Sequence, residues 1–172
     1  MVSGMLRAAL GALSVLAAAT GCAQPTAGES AVPLSWTQYT TDPCRLVPVE
    51  RMGDLLGLPG VRAQVRTSQR GSELGACAYT SGTVELTVEV HERDPSLTPD
   101  EYVKAGTYHQ GRALQGLGDA AAVARLDQGW GQLVLVKNDI ALFLAGDTEI
   151  TDGLAKVAGE AVHALPRYWR AP

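Results

Sequence analysis

The chain has little of what would mark a nucleic-acid-binding, metal-dependent or membrane-spanning protein. Aromatic residues make up 5% of its 172 residues, with a single phenylalanine, Phe143, so a core has to be built mainly from Val, Leu and Ala. Positive charge is also thin: 14 Lys and Arg stand against 18 Asp and Glu, a formal charge of −4. A mildly acidic chain with scattered basic residues offers no electrostatic footprint for nucleic acid. It has no polybasic cluster to hold anionic lipid headgroups either. The three histidines, His91, His109 and His163, include no pair at ligand spacing such as His-Glu-x-x-His. No Gly-x-Ser-x-Gly elbow raises a serine nucleophile. Sequence alone therefore assigns no catalytic residue, no metal ligand and no cofactor. At 46% hydrophobic and 19% charged, the composition is that of one ordinary globular domain.

What the chain does have begins at its N-terminus. Arg7 precedes an apolar run from Ala8 to Ala19. That run suits the apolar region of a signal peptide and falls short of the ~20 residues a spanning helix needs. Ala19-Thr20-Gly21-Cys22 follows. Small residues before a cleavage point let a signal peptidase take the backbone extended. A cysteine directly after them resembles the lipobox of bacterial lipoproteins, in which diacylglycerol is attached to the thiol of the new N-terminal residue. The usual Leu, Val or Ile three places before the cysteine is Ala19 here, and Ala19 with Gly21 also suits secretion without a lipid. The cysteine count favours the lipid. An exported protein with three cysteines keeps a spare thiol unless one is used otherwise. With Cys22 lipidated, Cys44 and Cys77 remain as an even pair.

The organisation expected is a signal peptide over 1–21, a lipidated tether over 22–41 and a single domain over 42–172. The tether is rich in Pro, Ser, Thr and Ala without apolar periodicity, and Trp36 and Tyr39 are its only bulky residues. In the domain, Pro48 precedes a helix carrying Val49, Met52, Leu55 and Leu56 on one face until Gly57. Val61, Ala63 and Val65 alternate with polar residues as in a strand with one wet face. A Gly-flanked loop over 70–75 leads to a short strand over 76–80. The clearest strand has Val84, Leu86, Val88 and Val90 on one side and Glu85, Thr87 and Glu89 on the other. Thr98-Pro99-Asp100-Glu101 is a helix start with a capping box.

Strands are expected over 113–117, 120–126, 131–137 and 140–145, the last two joined by a tight Asn138-Asp139 turn. A final helix capped near Asp147 or Thr148 carries Ile150, Leu154, Val157, Ala161 and Leu165 at 3.6-residue spacing. The fold class is α+β, an antiparallel sheet of six or seven strands covered by helices. Leu154, Val157 and Ala161 are expected to face Val84, Leu86, Val88 and Val90.

Several pieces occur together. Asp42-Pro43-Cys44 opens a helix ending in Leu56-Gly57, and Ala76-Cys77-Ala78-Tyr79 stands before the alternating strand. Gly116-Leu117-Gly118-Asp119-Ala120-Ala121 and an amphipathic final helix follow. Over about 42–165 the chain resembles the uncharacterised actinobacterial lipoprotein family called domain of unknown function 3558. The resemblance implies a lipoprotein outside the membrane with a Cys44–Cys77 disulfide, and Tyr79 matches an aromatic frequent in that family. It implies no activity and no catalytic residue.

Two loops invite a functional reading. Gly116–Ala121 has the outline of a relaxed nucleotide fingerprint, but a strand follows it where a helix N-terminus is needed, so a tight turn is expected. Gly129-Trp130-Gly131 places a Trp between two glycines at a strand connection. That Trp is either an exposed anchor for a partner or a cover over the sheet. The expected function is an extracytoplasmic, non-enzymatic binding domain held on the cell membrane through Cys22. Its partner would be an envelope protein, a lipid or a cell-wall component. The competing reading is an extracytoplasmic enzyme or accessory hydrolase whose site the fold assembles. Intact-mass analysis of the mature protein is expected to show diacylglycerol on Cys22, and Cys22→Ala to release the protein from membranes. A mature chain starting elsewhere, or an unmodified Cys22, would contradict this.

Overall fold

The computed structural model describes residues 41–66, 73–126 and 129–165. Cys22 and the tether up to residue 40 lie outside these segments, as does part of the expected 70–75 loop. A 3-10 turn, Pro43–Leu46, leads to helix α1, Val49–Leu56, which Gly57 ends in a left-handed conformation (φ 67°). Strands β1 (Arg62–Arg66), β2 (Glu73–Ser81) and β3 (Val84–Glu92) follow as a meander. Helix α2 is Pro99–Gly106. Its Thr98 hydroxyl accepts the Glu101 N–H at 3.3 Å while the Glu101 carboxylate accepts the Thr98 N–H at 2.9 Å, the capping box expected. A second meander comprises β4 (Arg112–Ala113), β5 (Ala120–Leu126), β6 (Trp130–Lys137) and β7 (Ile140–Asp147). Helix α3, Thr151–Ala164, closes the described chain.

The seven described strands form one antiparallel sheet in the order β1-β2-β3-β7-β6-β5-β4. The class is α+β, as expected. Only the β3–β7 pairing, from Leu86 opposite Gly146 to Glu92 opposite Ile140, joins the two meanders.

Directly opposed residues point the same way, so the register sorts the side chains into two faces. On the inner face, Cys77, Val88, Leu144, Leu133 and Val123 form one row and Tyr79 and Leu86 lie in the next. These residues belong to the main core with Met52 of α1 and Leu154, Val157 and Ala161 of α3. On the outer face, Val103 of α2 packs with Ala120, Ala122, Val134, Val136 and Ala141 in a smaller core flanked by Phe143. Gly106 lets α2 approach closely: a Cβ there would stand 3.0 Å from Val134 and 3.1 Å from Phe143.

Four expectations need correction. The edge strand β1 is exposed along its whole length, Val65 included, because among the described residues no α-helix packs along it and the 3-10 turn at Pro43–Leu46 is too short to cover it. The strand expected over 113–117 shrinks to Arg112–Ala113, since residues 114–119 turn back to meet the β6–β7 hairpin. Helix α3 starts at Thr151, after a 3-10 turn over Thr148–Ile150, and no side chain caps it. Its backbone runs over β6, β5 and β7, while the 3-10 turn at Pro43–Leu46 lies over β2 and β3. Leu154, Val157 and Ala161 thus share a core with Leu86, Val88 and Val90 without α3 lying along β3.

Cys44 and Cys77 form a disulfide, with their Cα atoms 5.0 Å apart. It pins the N-terminal turn to β2, and Tyr79 reinforces it. The Tyr79 hydroxyl donates to the Val47 carbonyl at 2.7 Å and reaches the Cys44 carbonyl at 3.3 Å. Burial, helped by the charge of Asp42, pushes the phenol pKa up and keeps it a neutral donor. The bond closes a loop with a sequence separation of 33. The chain-entropy model gives about 3–4 kcal/mol for such a loop. Reduction is therefore expected to lower the melting temperature, with Cys44→Ser and Cys77→Ser behaving alike. Two alkylatable thiols in the native protein, or no shift on reduction, would contradict this.

Candidate functional site

Helix α2 covers only part of the outer face. Its contacts fall on β5 and β6, leaving β1–β3 and the far end of β6–β7 without a helix among the described residues. Two rows of side chains cross this uncovered region. One runs Gln64, Ala78, Thr87, Ala145, Gln132 and Ala124 through successive register partners. The next holds Arg62, Thr80, Glu85, Asp147, Trp130 and Leu126. Small residues form the floor of the first row, and the longer carboxamide, hydroxyl and charged groups stand around them.

Trp130 stands at the β5–β6 end of this surface, and Tyr108 is exposed in the turn that feeds β4. Trp130 is the first residue of β6 rather than part of a loop, and it is 39% exposed. Alternation along β6 puts it on the same face as Gln132 and Val134. Tyr108 is 65% exposed and follows α2 directly. It and His109 take left-handed backbone conformations, with φ of 51° and 60°. Such conformations are unfavourable for side chains of this size and call for a local cause. Here the His109 N–H returns to the Lys104 carbonyl at 2.8 Å and the Tyr108 N–H to the Ala105 carbonyl at 3.1 Å, wrapping the helix end. Because β4 runs antiparallel to β5, the turn feeding it approaches from the Ala124–Leu126 end, the end where Trp130 begins β6. Sequence reasoning missed Tyr108, since neither apolar periodicity nor a motif marks a bulky left-handed residue.

Arg66 pairs with Glu85, and the Asp147 carboxylate accepts the Glu85 N–H at 2.8 Å. The side chains of Gln64, Thr80, Thr87 and Gln132 have no hydrogen-bond partner among the described residues. For Thr87, only 9% exposed, an unmet hydroxyl is an unusual condition.

The remaining candidates take structural places. His91 is buried, with its ring nitrogen 2.9 Å from Glu89 and its ring 4.7 Å from Phe143, so it joins the outer core to the polar surface. Among the described residues no group of three His, Cys, Asp or Glu gathers as a metal site. No described helix is long and apolar enough to cross a membrane. An apolar crevice of about 10 Å³ beside Met52, Leu56 and Leu86 is far smaller than the ~300–1,000 Å³ of ordinary ligand pockets.

The Gly116–Asp119 part of the segment turns, as expected, before β5 begins at Ala120, and it holds the β6–β7 hairpin. A Cβ at Gly118 would collide with the Val136 carbonyl oxygen, and the Asp119 N–H donates to that same oxygen at 2.8 Å. The Asp119 carboxylate accepts the Asn138 N–H at 2.6 Å and Lys137 Nζ at 3.0 Å. No family model, curated protein or solved structure matches the chain. The surface is therefore read on its own geometry.

Asp119 makes the domain sensitive to acid. Partial burial alone would raise its pKa, but the Asn138 and Lys137 hydrogen bonds, with the charges of Lys137 and Arg93, hold it below the usual carboxylate value. A depressed folded-state pKa contributes stability above the unfolded value and loses it as pH falls through the folded one. Asp119→Asn is thus expected to lower stability at neutral pH, with the difference from wild type shrinking below roughly pH 4. Denaturant unfolding at both pH values checks this, and a difference independent of pH would contradict it.

Proposed function

We propose that the chain is a cell-envelope lipoprotein, anchored through Cys22, whose extracytoplasmic domain binds a ligand on the uncovered outer face of its sheet without acting as an enzyme. The observation that carries this reading is the exposure of Trp130 beside a polar stretch of sheet that no described helix covers, in a chain with few aromatics to spare. Exposed aromatic side chains give large contact area at low conformational cost, which is why they dominate binding surfaces. The Ala19-Thr20-Gly21-Cys22 sequence and the resemblance noted above support the anchor. The disulfide suits an oxidising compartment. A tether at the N-terminus would leave the sheet surface accessible to envelope components.

Trp130→Ala is expected to leave the melting temperature nearly unchanged, because the ring is part-exposed at a strand end. The same change should weaken retention of the protein on isolated envelope material. A large loss of stability would make Trp130 a core residue and remove the main support for this surface. Unchanged retention would place binding elsewhere.

A further inference from the structure

The two edges of the sheet differ. β4 ends it on one side with Arg112–Ala113 alone, while β1 presents five residues on the other, all of them exposed. The β2–β3 hairpin fixes which backbone groups of β1 face outward. Gly82 and Thr83 form a two-residue turn, so Ser81 and Val84 are the hydrogen-bonded pair that closes it. Bonded and non-bonded pairs alternate along an antiparallel ladder. Tyr79 and Cys77 therefore bond to β3, while Thr80, Ala78 and Ala76 turn their N–H and C=O groups towards Arg62, Gln64 and Arg66. Ala63 and Val65 are left with theirs on the open edge. We infer that β1 is a docking edge for an extended acidic peptide of a partner protein, which adds to the sheet as a further strand. Three strands separate this edge from Trp130 on β6, so the inference does not rest on the surface proposed above.

A row of outward N–H and C=O groups is matched in spacing and direction by another strand, which makes the occupant a polypeptide. Its charge follows from the side chains of β1. Arg62 and Arg66 stand at the two ends of the strand on its outer side. Neither β1 nor the facing positions of β2, Ala76 to Thr80, carry a carboxylate. Arg66 is shared with Glu85 of β3, whereas Arg62 has no side-chain partner among the described residues. Ala63 and Val65 point to the inner side, where Val65 is 46% exposed. A peptide reading acid, apolar, any, apolar, acid sets a carboxylate opposite each arginine and apolar side chains opposite Ala63 and Val65. Its two apolar residues make about four backbone hydrogen bonds with Ala63 and Val65. A second copy of the chain fits less well. Two β1 strands paired antiparallel over their full length set Arg62 of each against Arg66 of the other, and like charges directly opposite repel.

Calorimetric titration of the mature protein in detergent tests this with the acetylated, amidated peptide Ser-Glu-Val-Thr-Val-Glu-Ser. One comparison peptide carries Lys for both Glu, and another carries N-methyl groups on both Val. The acidic peptide is expected to bind saturably, with a Kd below about 1 mM. The lysine peptide should bind roughly tenfold more weakly or worse, and the N-methyl peptide, which cannot donate to the ladder, not at all. Val65→Pro removes an N–H on the open edge and none that β2 uses, so it should abolish binding in a folded domain. Arg62→Glu, which breaks no described contact, should reverse the preference towards the lysine peptide. If the acidic peptide does not bind, or the N-methyl peptide binds equally well, strand addition is overturned. If the acidic and lysine peptides bind alike, the acidic assignment falls. If Trp130→Ala removes binding and Arg62→Glu does not, the peptide sits on the outer face and the edge is excluded. A protein that sediments as a dimer, and as a monomer in Val65→Pro, would give the edge to a second copy and overturn the peptide.

Discussion

The seam between β3 and β7 is the constraint on which the rest of the fold depends. Seven residue pairs there are the only backbone ladder between a three-stranded and a four-stranded meander. On one side of the seam the buried partners are Val88 with Leu144 and Val90 with Leu142, so the inner core is continuous across it. On the other side Glu89 meets Phe143 and Thr87 meets Ala145, so the outer surface is continuous too. Separating the strands would divide both layers at once. The halves also meet through their helices: α1 and the N-terminal turn pack on α3, and Arg51 of α1 pairs with Glu160 of α3 at 3.1 Å.

The sheet needs cover on two faces, and the helices supply it unequally. The inner face carries the Val, Leu and Met side chains and takes α1, α3 and the disulfide-pinned turn. Under α2 the outer face is built from alanine, valine and the single Phe143. Beyond α2 the outward positions alternate Gln, Thr, Arg and Glu with small alanines and with Trp130. The uncovered region is thus written into the strands themselves. Its two rows cross the seam, drawing Gln64, Ala78 and Thr87 from one meander and Ala145, Gln132 and Trp130 from the other. A ligand held there would contact both halves of the domain.

Much of this was legible in the sequence, for identifiable reasons. β3 alternates strictly, Thr98 to Glu101 is a full capping box, and Asn138-Asp139 turns with Asn138 left-handed (φ 55°), each a local signal with a local cause. The disulfide followed from counting cysteines and from the family resemblance. What failed to show depends on distant contacts. Val61, Ala63 and Val65 alternate like a half-buried strand, yet an edge strand stays exposed when no helix extends over it. Leu114 and Leu117 looked like strand residues, but Gly118 and Asp119 fold the segment under the hairpin through Val136 and Asn138. Of the candidate surface, Trp130 stood out by its flanking glycines. Gln64, Thr87 and Gln132 did not, because only strand order brings them to one face.

The central claim is that the seam makes the two meanders a single cooperative unit, on which the uncovered surface is assembled. Native-state amide hydrogen exchange across a denaturant series tests it most directly, since it resolves the free energy of opening strand by strand. The account predicts that the protected amides of β3 and β7 exchange only through global unfolding, with the same free energy as those of β6. Lower free energies for β2 and β3, converging on a partial opening that leaves β5–β7 protected, would contradict it.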